Sequence, residues 1–172
     1  MSFTLRFPLA DIPHWSARYT YDDSIPTALG PVAKARGHLT KTDFLAFARW
    51  KTARTMKRCQ ANSPEFVRTV TAASMASPDE RLRIEVLTLL SGVQWPTASV
   101  ILHFCAVEPY PILDFRALWS LSEDVPKSGY DFPFWWRYCD TTRRLAAKAR
   151  VSMRVLDRAL WQYSKEHQPP GA

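Results

Sequence analysis

Apolar residues recur at helical spacing along most of this chain, and the gaps between the runs carry capping chemistry. Phe44, Leu45, Phe47 and Ala48 form an inward stripe in residues 40–50, where Thr40 or Thr42 can cap the helix. Residues 26–36 read as an earlier helix closed by Gly37, and residues 52–60 as a short one. Ser63-Pro64-Glu65 supplies a cap, a first helical residue and a charge that complements the helix dipole. Ser77-Pro78-Asp79-Glu80 repeats that start ahead of Arg81-Leu-Arg-Ile-Glu-Val-Leu-Thr-Leu-Leu90. Gly92 suits the end of that helix and Pro96 the first turn of the next, which runs to about Val107. Asp114 opens a short helix through Leu121, Phe132 heads a long one to about Ala149, and Ser152 caps a last one ending near Glu166, before Pro169-Pro170-Gly171. Phe3, Leu5 and Phe7 alternate as in a short strand, but no partner strand is evident. The pattern predicts an all-α fold, a single domain over residues 1–172 with about eight helices. A helical hairpin lies near residues 78–107, followed by an aspartate-bearing loop and helix at 108–121.

Charge adds a partner class. Against 16 acidic residues stand 23 basic ones, and the +7 balance favours an anionic partner. Arg49, Lys51, Arg54, Lys57 and Arg58 occur without an intervening acid, and residues 137–158 hold seven basic residues against Asp140 and Asp157. Such segments can track a phosphate backbone, or simply form solvated helix faces. Three widely spaced cysteines fit reduced thiols in a cytoplasmic chain better than a disulfide frame. Neither cysteines nor histidines show metal-ligand spacing. The N-terminal Met-Ser-Phe-Thr-Leu-Arg has no signal-peptide pattern, and no run is apolar enough for a membrane span, so no membrane is expected. No protein partner is evident.

The turn holds the sharpest chemistry. Leu90-Ser-Gly-Val-Gln-Trp-Pro-Thr-Ala98 resembles the hairpin of the helix-hairpin-helix DNA glycosylases, whose pattern is Leu-Pro-Gly-Val-Gly-x-x-Thr-Ala. In that superfamily a loop after the second helix delivers an aspartate. Val107-Glu-Pro-Tyr-Pro-Ile-Leu-Asp114 is similar and places Asp114 twenty-two residues after Gly92. The resemblance covers less than a fifth of the chain, from Leu89 to about Trp119.

That resemblance implies double-stranded DNA as partner. Its phosphate would be held by Ser91, Gly92, Val93, Gln94, Trp95 and Thr97, with Lys51 and Arg54 as flanking cations. It also implies a monovalent cation on the main-chain carbonyls of Thr88, Leu90 and Val93, and Asp114 facing the sugar of an extruded nucleotide. A fixed carboxylate stabilises the positive charge that builds on the sugar as an N-glycosidic bond breaks. Arg116 could orient or neutralise it. Where bifunctional members carry a lysine nucleophile this chain has Pro96, which has no amine for a Schiff base, so excision would be monofunctional, without lyase activity. Gln94 replaces the second glycine and would cost roughly 1–2 kcal/mol if that position were left-handed. Trp15, Trp50, Trp95, Trp135 and Trp136 are conceivable walls for a flipped base. The alternative is a non-catalytic helix-hairpin-helix DNA-binding protein. A helical interaction protein with an ordinary turn and an ordinary aspartate cap is the plainest reading.

Overall fold

The computed structural model describes residues 3–169; Met1-Ser2 of the leader reading and Pro170-Gly171 lie outside the described residues. Those residues form ten α-helices, three 3-10 turns and no strand. The helices are α1 (Ile12–Ala17), α2 (Ser24–Arg36), α3 (Lys41–Lys51), α4 (Met56–Gln60), α5 (Pro64–Ala76), α6 (Glu80–Glu85), α7 (Trp95–Cys105), α8 (Phe115–Ser120), α9 (Phe132–Ala149) and α10 (Met153–His167). The count exceeds the eight or so that the pattern predicts; α1, which no pattern announces, is six residues long with a proline near its start, too short to show a period. No described helix is long and apolar enough to cross a membrane.

The chain forms two compact units. One is Asp22–Glu108; the other joins the stretch that ends at Tyr21 to the one that begins at Pro109. No glycine- or serine-rich linker marks either change.

In the Asp22–Glu108 unit, α2, α3, α5 and α7 enclose Ala33, Leu39, Phe44, Phe47, Val67, Val70, Val100 and Ile101. α2 and α7 cross closely because Gly30 lacks a Cβ; one built there would lie 2.5 Å from the Phe104 carbonyl oxygen. Gly37 closes α2 in the left-handed conformation, as its position predicts. Thr40 caps α3 in a reciprocal box with Asp43: its hydroxyl accepts the Asp43 N–H at 3.1 Å, and the Asp43 carboxylate accepts the Thr40 N–H at 3.0 Å. Ser63 caps α5 as expected, its hydroxyl accepting the Phe66 N–H at 3.1 Å. Ser77 does not cap the next helix. Asp79 does, accepting the Leu82 N–H at 2.7 Å, while the Ser77 hydroxyl turns back to the Asp79 N–H at 3.1 Å. That helix is one short α turn continued by a 3-10 stretch, Val86–Leu89.

In the other unit α10 is the central element, packed by α1, α8 and α9 around Ile12, Leu118, Trp135, Tyr138, Leu156 and Leu160. Phe3, Leu5 and Phe7 do turn inward more than Thr4 and Arg6. Their main chain pairs with the end of a helix instead of a strand: Thr4 N–H donates to Leu121 O at 2.8 Å and Arg6 N–H to Ser120 O at 2.9 Å. The carbonyls at the end of a helix need donors as much as a strand edge does.

Asp43 also accepts a hydrogen bond from Arg36 at 2.6 Å. Burial pushes its pKa up, but the Arg36 and Thr40 donors and the Arg36 charge outweigh burial and hold it below the ordinary 3.8. A carboxyl depressed on folding stabilises fully above its unfolded pKa, and that stabilisation is lost as pH falls through the folded value. The wild type should therefore melt higher than Asp43→Asn at neutral pH, with the gap narrowing below about pH 4. A gap in melting temperature that does not change with pH would show that the carboxylate charge contributes nothing.

Candidate functional site

The turn between the 3-10 stretch Val86–Leu89 and α7 is fixed by a residue thirty positions upstream of Gly92. Asn62, only 5% exposed, accepts the Ser91 N–H on Oδ1 at 2.9 Å and donates from Nδ2 to Ser91 O at 3.0 Å and Cys59 O at 2.9 Å. Its carboxamide thus imitates a paired strand for one residue of the turn and ties that residue to α4. Gly92 follows with φ of 83°, where a Cβ would meet Cys59 Sγ at 2.8 Å and the Arg58 Cβ at 3.0 Å. Glycine is required here twice over, for the left-handed backbone and for the approach of α4.

Gln94 has φ of −121° and ψ of 173°, an extended N-cap conformation open to any residue. The second glycine of the resembling pattern has no left-handed position to fill, so the expected cost at Gln94 does not arise. Its side chain makes no cap hydrogen bond. The Val93 N–H is used by Leu90 O at 3.0 Å and the Ala98 N–H by Gln94 O at 2.9 Å. Among the described residues, no partner is found for the N–H groups of Gly92, Gln94 and Trp95 at the head of α7.

The site residues expected here therefore differ in reach. Ser91 and Gln94 are exposed and Trp95 is half-buried as the first residue of α7, but the side chains of Val93 and Thr97 are buried and leave only main chain. Lys51 ends α3, and Arg54 stands exposed in the 3-10 turn Ala53–Thr55, its Nε 3.5 Å from the Thr52 hydroxyl. Lys57 and Arg58 on α4 are exposed as well, and the Arg58 stem lies against Gly92. Arg49, Arg54, Lys57 and Arg58 have no carboxylate partner among the described residues. The turn thus sits on the acid-free basic segment.

Of the carbonyls of Thr88, Leu90 and Val93, Leu90 O accepts one main-chain hydrogen bond, from the Val93 N–H, and keeps a second lone pair. The neighbouring Ser91 O is held by Asn62. No group of three or more His, Cys, Asp or Glu side chains among the described residues could hold a metal ion.

Asp114 belongs to the other unit. As expected it caps α8, with Oδ1 accepting the Arg116 N–H at 2.9 Å, and it is half-exposed. Arg116 meets it through that main-chain N–H and turns its guanidinium over the rings of Phe115 and Trp161, 5.1 and 5.5 Å from their centroids.

The loop leading to Asp114 is held firmly. The buried Tyr138 hydroxyl donates to Ile112 O at 2.8 Å, and Asp157, itself 7% exposed and paired with Arg154, accepts the Ile112 N–H at 3.2 Å. Arg143 donates to Pro109 O at 2.9 Å and lies over the Tyr110 ring, while Tyr110 stacks on the buried Trp135. Burial, then the charges of Asp157 and Asp114, drive the Tyr138 pKa well above its ordinary value. Tyr130 is pushed up to about 12, first by burial and then by the Asp114 charge, so a neutral phenol accompanies that carboxylate at physiological pH.

Asn62 precedes a Ser-Pro helix start and reads only as loop; Tyr138 and Arg143 lie within an aromatic and basic run that offers no hint of partners far along the chain. Trp135 is a core residue, and Trp50 donates to Asp22 O at 2.7 Å. A comparison with known protein families, with curated proteins and with solved structures returns no match.

Asn62→Ala leaves the Ser91 N–H and the Ser91 carbonyl without partners, while Cys59 O keeps the main-chain N–H of position 62, and should cost roughly 1–3 kcal/mol in denaturant unfolding. Tyr138→Phe, which strands one buried carbonyl, should cost about 1–3 kcal/mol on the same assay. Values within experimental error of wild type for both would mean that water replaces these groups freely.

Proposed function

We propose that this chain binds duplex DNA through the Gly92 turn and acts as a monofunctional base-excision glycosylase, with Asp114 as its catalytic carboxylate. One observation carries the reading: the turn is locked by Asn62 and seated on α4, so that main-chain N–H groups at the head of α7 stand beside an acid-free cationic segment. Amides at a helix start plus flanking cations suit a phosphate without needing any particular side chain.

The reaction would break the bond between sugar and base in an extruded nucleotide. Positive charge builds on the sugar, and Asp114 offers a negative oxygen on a loop that cannot drift, because Tyr138, Asp157 and Arg143 hold it. Water supplies the hydroxyl that ends on the sugar, and the base leaves with the proton. Pro96 stands where an amine nucleophile would have to be, so the sugar–phosphate backbone stays uncut. The second reading, DNA binding without chemistry, is favoured by the Asp114 cap: one carboxylate oxygen already serves the Arg116 N–H.

A panel of alkylated, deaminated and oxidised duplexes separates the two. Wild type should release free base and leave an intact strand with an abasic site. Asp114→Asn keeps a capping residue and should retain duplex binding while losing about 100-fold or more in base release. Equal release by the variant removes Asp114 from the chemistry. Duplex binding without release from any substrate favours the non-catalytic reading, and no salt-dependent duplex binding removes both.

A further inference from the structure

We propose that the outward face of α9 is a second phosphate track for duplex DNA, on the unit that carries Asp114. It rests on the DNA-binding reading above and concerns residues that reading does not use. At about 100° per residue, Trp136, Arg137, Asp140, Arg143, Arg144, Ala147 and Lys148 fall on one side of α9. The opposite side is the buried Phe134, Trp135, Tyr138, Cys139, Thr142 and Ala146. Arg150 follows at the left-handed end of the helix.

The charge on this face is nearly of one sign. Its single carboxylate, Asp140, is met by Arg144 at 2.8 Å. Arg137, Lys148 and Arg150 are exposed and have no carboxylate partner among the described residues. Arg144 and Lys148 stand four residues apart, a like-charge spacing that opposes helix formation. A face that needed only water would gain from alternating signs, whereas a cationic row is complementary to a polyanion.

An acidic protein partner would ask for an apolar centre within the charges. Here Trp136, 37% exposed, stacks on Phe132 and lies beside Arg137 and under the Arg143 guanidinium near the start of α9, and from Asp140 onward the face carries no large apolar group. The row follows a helix of 18 residues, about 27 Å long, which suits a repeating phosphate chain. Arg143 links this face to Asp114: beneath the exposed cations it holds Pro109 O at the base of the aspartate loop.

Binding of a short undamaged duplex, followed by fluorescence anisotropy over a range of salt, tests the track. The proteins compared are wild type, Arg137→Ala/Arg144→Ala/Lys148→Ala, Asp140→Asn and the α4 variant Lys57→Ala/Arg58→Ala. Each lost phosphate contact lowers the slope of log affinity against log salt by about 0.9, so the α9 triple variant should lose roughly 2–3 from its slope. Asp140→Asn, which removes the one repulsive charge, should bind several-fold tighter, a gain that misfolding cannot produce. An unchanged slope in the triple variant together with unchanged affinity in Asp140→Asn overturns the track. If the α4 variant alone then loses slope, the hairpin reading stands without it. Loss confined to the α9 variant supports the track and removes the hairpin grip, and a wild type without salt-dependent duplex binding overturns both.

Discussion

Main-chain groups that no helix serves must still find partners, and in this chain three buried side chains far along the sequence supply them. Asn62 does so for Ser91, and Tyr138, with Asp157, does so for Ile112. An unpaired amide or carbonyl in the interior is costly enough to unfold a turn locally. With the pairing made, neither segment can relax into another conformation without exposing its partner. The turn at Gly92 and the loop before Asp114 are irregular in conformation yet tied down by these side-chain hydrogen bonds.

That rigidity has a chemical use. Binding a phosphate through main-chain N–H groups depends on those groups being oriented before the ligand arrives, since ordering them on binding would consume the affinity. The same holds for a carboxylate meant to meet a developing positive charge. In both places the supporting residue lies outside the motif that it supports. Gly92 shows how closely the two are fitted, because α4 approaches to where even a methyl group would collide.

Much of the helical architecture was legible because helices advertise their ends. Ser63, Gly37, Asp114 and Ser152 each perform the capping role that their chemistry suggests. Ser77 and Asp79 illustrate the limit, since both can cap and only the geometry of the turn selects the aspartate. Alternation at Phe3, Leu5 and Phe7 was a true signal of burial, but burial beside a helix end produces the same two-residue pattern as a strand. Gln94 looked like a departure only on the supposition of a left-handed backbone there. The side chains that fix the site were invisible for a different reason. Asn62 and Tyr138 act across 29 and 26 residues, and no local pattern encodes a partner at that distance.

The stretches that flank Asp22–Glu108 share one unit, so that unit closes only when both have been made. The Asp22–Glu108 stretch is continuous in sequence and forms a compact unit by itself. The segment before Tyr21 is made ahead of its partners in α8 and α10: Thr4 waits for Leu121, and Arg18 waits for Glu166. Until α10 is made, Phe7 and Trp15 lack the Tyr163 ring against which both pack. Aromatic surface made before the Asp22–Glu108 unit is thus covered only after that unit has been synthesised.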